Sequence, residues 1–421
     1  MKPADTAIAV IEMAERGQFE EIYGQFAPQL RPLLTPGALR AAWEAEVAKN
    51  GPVSSLGPPA TEAVGPGAVV VKIPVTFEHR TGTVAVGLAA EEGWVTGIQL
   101  LPASAAAPTV PWVPPPYADP DRFTEHDVTV GDGPLAVPGT LSVPHHAGSA
   151  PVPGVVLLSG SGAHDQDETI GRNKPLKDLA WGLASADVAV LRFEKVTHAH
   201  PDLVSGDETF TLNDEYVPDA VAALQLLRDH PRVDQARVFL AGHSQGGTVA
   251  PRVAARAPVA GLVILAGGAQ PLQEAMLRQF RYLASLGPGQ AVDLDAVTRQ
   301  AAAVDDPGLS EATPASDLPF GVPAAYWLDL RGYDPAAAAA ELGKPVLVVQ
   351  GGRDYQATVA DDLSRWKAAL DGRPDVTIRV YPADNHFFFP GSGPSSPAEY
   401  EPAQHMDPAV VADIAGWLHA H

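Results

Sequence analysis

The sequence predicts an α/β protein: a mostly parallel sheet with helices on both faces and a helical cap insertion, preceded by a small α+β N-terminal domain. Three observations carry this prediction. Short apolar runs at 155–158, 188–193, 238–241, 262–266, 345–350 and 377–381 alternate with amphipathic segments, the pattern of parallel strands covered on both faces. Between the fourth and fifth runs, helical patterning continues without a strand, which marks an insertion at about 268–335. A proline-dense stretch separates all of this from a first hundred residues of different character, and 421 residues leave room for two domains.

Residues 1–105 read as the α+β domain. Ile8, Ile11 and Met13 mark a first helix, and Phe19, Ile22, Tyr23 and Phe26 keep helical spacing after Gly17. Thr35 followed by Pro36 is an N-cap and first-turn pair that opens a third helix through Trp43 and Val47. Strands follow at 69–77, 83–88 and 94–100, with a turn at Thr81 and Gly82 and another at Glu91, Glu92 and Gly93. Residues 106–121 form a linker. Pro108, Pro111, Pro114, Pro115, Pro116 and Pro120 deny it both helix and sheet and leave it extended and semi-rigid. From 122 to 421 the α/β pattern holds, opening with a hairpin of 125–130 and 139–143.

Composition excludes several functions. Asp and Glu number 50 against 28 Lys and Arg, a net charge of −22 that repels nucleic acid and anionic membranes. The absence of cysteine excludes disulfides, thiolate catalysis, Cys-ligated zinc and iron–sulfur clusters. No apolar run reaches membrane-spanning length, and the first residues lack the apolar core of a secretory signal. The expectation is a cytoplasmic protein, with a leader already removed as the open alternative.

The chemistry is carried first by Gly242-His243-Ser244-Gln245-Gly246, which is Gly-x-Ser-x-Gly directly after a strand and before a small-residue helix. A serine there occupies a sharp turn, with Gly242, His243 and Gly246 building the elbow. The turn lifts its hydroxyl clear of the sheet and turns the Gln245 amide toward a developing oxyanion. The hydroxyl needs a base, and the base an orienter. The strand at 345–350 empties into Asp354, and that at 377–381 into Asp384, Asn385 and His386. His386 is the expected base. Asp354 is the favoured acid; Asp384 is its rival, placed where it would rather cap the His386 loop. The strand at 155–158 empties into Ser159-Gly160-Ser161-Gly162, where the Ser161 amide is the second expected oxyanion donor and Gly160 and Gly162 shape the loop.

No metal is expected. His145 with His146, His198 with His200, and Asp165, Asp167 and Glu168 near His164 lack the spacing of a ligand set. The acidic residues after His164 are expected to hold the oxyanion loop, and Glu194 and Lys195 to be structural. In the cap, most apolar residues pack it onto the domain. Met276, Phe280, Tyr326 and Trp327 are the candidates for a substrate pocket, which lacks a basic cluster to select an anion.

Residues 122–421 resemble the α/β-hydrolase fold. Ser159-Gly160-Ser161-Gly162, Asp165-Gln166-Asp167-Glu168, Asn173-Lys174-Pro175, Arg192-Phe193-Glu194-Lys195 and the elbow together are similar to a bacterial carboxylesterase group with a small extra N-terminal domain. Residues 1–105 resemble that domain, whose fold is like the cone of nuclear transport factor 2. One departure is Glu194-Lys195-Val196, where the group has Asp-Lys-Arg. The resemblance implies a triad of Ser244, Asp354 and His386 and an oxyanion loop at Gly160–Gly162. It implies a serine hydrolase of carboxylic esters that uses no cofactor and acts on a small-molecule ester. A peptidase, thioesterase, lactonase or acyltransferase using the same machinery is the alternative, as is an inactive binding protein; a homodimer is left open.

Overall fold

The computed structural model describes residues 2–28, 30–31, 34–65, 68–78, 81–89, 93–102, 112–145, 150–204, 206–286 and 293–421. Of the sequence expectations, His146, the Glu91–Glu92 turn and residues 106–111 of the proline-rich linker lie outside these. The chain divides into two compact units. One is Met1–Val110 with Leu277–Pro307 and Ser316–Gly321; the other is Pro111–Met276 with Gly308–Ala315 and Val322–His421. The segment read as a cap is thus divided between the two.

In the first unit, helices α1 (Pro3–Glu15), α2 (Phe19–Gln25) and α3 (Pro36–Asn50) precede five strands: β1 (Val53–Leu56), β2 (Ala60–Gly65), β3 (Ala68–Phe77), β4 (Thr81–Ala89) and β5 (Val95–Pro102). Thr35 Oγ1 accepts from Ala38 N at 3.0 Å, which caps α3 as its sequence implies. All strand pairs are antiparallel. β3 pairs with β4 along one edge; along the other it meets β2 with its first half and β1 with its second. Alternate residues Val71, Ile73, Val75 and Phe77 of β3 and Val84, Val86 and Leu88 of β4 share a core with Val10, Ile11, Phe19 and Ile22. The buried face of α1 is Ala7, Val10, Ile11 and Ala14, while Ile8 and Met13 are half-buried at its margin.

The second unit holds an eight-stranded sheet. Its strands are β6 (Phe123–Val130), β7 (Val137–Pro144), β8 (Val152–Leu158), β9 (Ala189–Phe193), β10 (Val233–His243), β11 (Leu262–Leu265), β12 (Val346–Gly351) and β13 (Val376–Tyr381). The order is β13-β12-β11-β10-β8-β9-β7-β6. From β13 to β9 every pair is parallel; the β6–β7 hairpin joins antiparallel at β9. Remaining helices are α4 (Pro175–Ser185), α5 (Val196–Ala199), α6 (Pro201–Val204), α7 (Leu212–Asp229), α8 (Gln245–Ala254), α9 (Leu272–Ser285), α10 (Leu294–Asp305), α11 (Ala324–Leu330), α12 (Pro335–Leu342), α13 (Ser364–Leu370) and α14 (Pro408–Ala420). No helix among the described residues is long and apolar enough to cross a membrane.

Alternation along the parallel strands sorts their side chains into two cores. Val156, Leu158, Leu240, Ile264 and Val348 pack with residues of α7, α8, α12 and α13. Val155, Leu157, Phe239, Val263 and Val349 pack with residues of α4 and α14. A strand buried on both faces must be apolar at every position, which is why these segments read as continuous apolar runs. Where the linker ends, Trp112 docks on α4: its Nε1 donates to Asp178 Oδ1 at 2.9 Å, and Lys177 Nζ stands 4.8 Å from its ring centre.

Candidate active site

The parallel strands all present their carboxyl ends to one edge of the sheet, the place where an α/β fold builds a site. Ser244 follows β10 with φ 52° and ψ −119°, a conformation disfavoured for any residue with a Cβ, and α8 begins at the next residue. Its amide donates to Leu265 O of β11 at 2.8 Å, which ties the turn to the sheet. The flanking glycines have a steric cause. A Cβ on Gly242 would stand 2.2 Å from Gly246 O, and one on Gly246 would stand 2.6 Å from Leu158 O. A turn this sharp closes only without those side chains.

His386 and Asp354 come together. His386 Nδ1 lies 2.7 Å from Asp354 Oδ2, and both residues are buried. The carboxylate is saturated. Oδ2 also accepts from Gln350 Nε2 at 3.0 Å, and Oδ1 accepts from the amides of Gln356 at 2.7 Å and Ala357 at 3.0 Å. Asp384 makes no such contact. Neither of its carboxyl oxygens has a well-formed hydrogen bond, and the residue expected to cap the loop does not. Asn385 caps it instead, with Oδ1 accepting from the amides of Phe387 and Phe389, each at 3.1 Å.

Burial first, and then the nearby Asp407 carboxylate, push Asp384 up to about 7. The folded state therefore holds this proton to a higher pH than the unfolded chain. The associated stability is full below the unfolded value near ~4 and is lost as pH rises to about 7. Asp384→Asn removes that dependence. Between pH 5 and pH 8 the variant should gain on the order of 2 kcal/mol relative to wild type, read by urea unfolding at a series of pH values. Parallel curves for the two proteins would mean that Asp384 ionises as an ordinary carboxyl.

The loop at 159–162, expected to bear an oxyanion donor, is held from both sides. Gly160 N donates to Glu168 Oε1 at 2.7 Å, and Gly160 O accepts from Tyr216 Oη at 2.7 Å and Lys195 Nζ at 3.1 Å. The Gly160 amide is thus committed, whereas the Ser161 amide, one residue on, donates to no group among the described residues. Gly162 follows with φ 100°, and His164 Nε2 lies 2.7 Å from Ser161 O. A Cβ placed on Gly160 would stand 3.2 Å from Ser244 Cβ, so the loop lies against the nucleophile elbow.

Sequence reasoning gave Lys195 only a structural part and did not single out Glu215, Tyr216 or the Gln245 side chain. Lys195 is buried, and burial lowers its pKa despite the pairing with Glu215 Oε1 at 2.8 Å. Gln245 Nε2 donates to Tyr326 Oη at 2.9 Å, and Gln245 Oε1 lies 3.2 Å from Tyr216 Oη. The cap residue Tyr326 therefore steadies the residue whose amide heads α8. Of the other pocket candidates, Trp327 is fully buried, and Met276 is buried on α9. Phe280 pairs with Phe320 at a ring distance of 6.0 Å. The histidines weighed as metal ligands have other partners: His200 Nε2 lies 2.7 Å from Ala136 O, and His145 Nδ1 lies 3.1 Å from Asp121 O. Among the described residues, no three His, Cys, Asp or Glu side chains are grouped to hold a metal ion.

Comparison with known proteins gives concordant results. A family model described as "Alpha/beta hydrolase family" matches residues 155–403. Esterase EstD of Thermotoga maritima is 39% identical over 304 residues, covering 72% of this chain and 69% of EstD. Among solved structures, the Pyrococcus furiosus esterase Pf2001 aligns with a TM-score of 0.45 at 16% identity, over 71% of this chain and 91% of that one. Est1E from Butyrivibrio proteoclasticus aligns with a TM-score of 0.46 at 17% identity, over 70% and 99%. The matched family segment is more than half the chain and contains the elbow, the oxyanion loop and the His386 loop, and the chain belongs to the alpha/beta hydrolase family.

Proposed function

We propose that the protein is a carboxylesterase working through an acyl-enzyme on Ser244, with His386 as base, Asp354 as its orienter and no cofactor. The observation that carries this is the His386–Asp354 contact of 2.7 Å on post-strand loops, together with the strained backbone of Ser244 at the elbow. With Nδ1 committed to Asp354, Nε2 is the ring nitrogen free to take the Ser244 proton as Oγ attacks the ester carbonyl. The amides of Gln245 and Ser161 receive the oxyanion; Gly160 N, held by Glu168, does not. The imidazolium returns its proton to the leaving alcohol. Water, deprotonated at the same nitrogen, then releases the acid and restores Ser244. The relative EstD is named an esterase, which supports an ester over an amide as substrate.

The helices and five-stranded antiparallel sheet of the N-terminal unit support the cone-shaped reading of residues 1–105. A solution measurement in which the expressed domain kept no helix packed on its sheet, such as interhelical and helix–sheet NOEs missing around Val10, Ile11, Phe19 and Ile22, would overturn it.

The test of the esterase assignment is a p-nitrophenyl ester series run beside aminoacyl-anilide and thioester substrates, with a fluorophosphonate probe counting reactive serines. Esters should be turned over fastest and one serine per chain labelled. Faster anilide or thioester turnover would move the protein to the peptidase or thioesterase reading. A chain that neither labels nor turns over substrate would be a binding protein.

A further inference from the structure

Glu168 is an unusual residue for a loop. It is 1% exposed, it sits at φ 53° in the left-handed region, and one carboxylate oxygen makes all of its hydrogen bonds while the other makes none. Oε1 accepts from Gly160 N at 2.7 Å and lies 2.8 Å from His243 Nδ1. His243 Nε2 in turn lies 3.0 Å from the main-chain carbonyl of His386. Both atoms facing the His243 ring are therefore oxygens that accept. A neutral imidazole carries one N–H and serves only one of them; an imidazolium serves both. In either neutral tautomer the unprotonated ring nitrogen would turn its lone pair on one of these buried oxygens.

We propose that Glu168 and a doubly protonated His243 form a buried ion pair that positions the oxyanion loop and the catalytic base relative to each other. The chain of contacts runs from Gly160 N through Glu168 Oε1 and the His243 ring to the His386 carbonyl. It crosses the elbow one residue before Ser244. The oxyanion loop, the nucleophile turn and the base loop come from three separate strands, and this pair is the bridge that touches all three. The glycine at 160 fits the same role, since a Cβ there would stand 2.8 Å from Glu168 Oε1. The ionisable groups around the pair are His164, Lys195, Tyr216, Asp354 and His386. Burial opposes charge on both partners, yet their mutual attraction prevails: the Glu168 carboxyl is lowered and the His243 ring raised.

This inference rests on the hydrolytic reading above, and its test separates the two. Turnover is measured per serine titrated by fluorophosphonate, for wild type, Glu168→Gln and Glu168→Ala. Glu168→Ala should lower kcat on the order of 10²-fold with KM within about threefold, the signature of a misplaced oxyanion donor. Glu168→Gln keeps an acceptor for Gly160 N and should recover to within about tenfold of wild type. A purely structural Glu168 would lower thermal stability and leave kcat per titrated site within threefold, which overturns the proposal. Should the variants not fold, the ring ¹⁵N signals of His243 in wild type decide. Two protonated nitrogens at neutral pH support the ion pair; a single N–H, meaning a neutral ring beside a carboxylic acid, overturns it. A wild-type chain that the probe does not label would fail the hydrolytic reading itself and take this one with it.

Discussion

Ser244→Ala should abolish ester hydrolysis, with kcat falling on the order of 10⁴-fold or more, while the protein stays folded. The second half of that expectation has a structural basis. Ser244 owes its backbone conformation to the elbow: its amide is tied to Leu265 O at 2.8 Å, and Gly242 and Gly246 pass close by. Alanine keeps the Cβ and therefore the same backbone demand, and the Ser244 side chain caps no amide of α8. Removal of Oγ takes away a nucleophile and no structural bond. Circular dichroism and the melting temperature should match wild type closely. Activity within tenfold of wild type in a preparation free of contaminating esterase would sink the assignment of Ser244.

Much of this arrangement is legible in the chain itself, for reasons that differ by element. The inner parallel strands announce themselves because burial on both faces favours apolar residues there, while the half-exposed edge strand β13 shows only in its β-branched and aromatic residues; each run lies within or beside an observed strand. The elbow is legible because its glycines are steric necessities. By contrast, β1 and β2 escape detection. Val53-Ser54-Ser55-Leu56 and Ala60–Gly65 lie along the open edge of β3 and carry no strong apolar alternation, so only pairing makes them strands. The fate of an acidic residue is harder still to read. Asp384 and Asn385 are neighbours, and the loop draws its cap from the second; nothing local distinguishes a carboxylate that caps from one that is buried without a well-formed hydrogen bond. Glu168 lies near the oxyanion loop in sequence. Its contact with His243, on a different strand's turn, exists only once β8 and β10 are side by side. Lys195 is likewise buried by the fold, against the ordinary preference of lysine for solvent. Tertiary hydrogen bonds of this kind leave no periodic trace in the chain.

Asp354→Asn should be far more damaging to activity than Asp384→Asn, with a loss on the order of 10³–10⁴-fold in kcat against a change within about threefold. The contrast follows from where each carboxylate points. At Asp354, Oδ1 is pinned by two backbone amides, those of Gln356 and Ala357. An asparagine would keep its oxygen on those donors, since turning the amide over would set NH₂ against both. Its nitrogen would then face His386 Nδ1 and the Gln350 Nε2 donor, where Asp354 Oδ2 now accepts from both. His386 could relieve this only by moving its proton from Nδ1 to Nε2, and a ring protonated at Nε2 cannot take the serine proton. The variant would be folded, correctly shaped and in the wrong tautomer. At Asp384 the carboxyl oxygens hold no such partners, so the same substitution changes stability with pH and leaves the base alone. Steady-state kinetics of both variants on one p-nitrophenyl ester, with active sites counted by fluorophosphonate, gives the ranking directly. If Asp384→Asn proved the more damaging of the two, the orienting role would pass to Asp384, and the 2.7 Å contact between His386 and Asp354 would have to be read as structural.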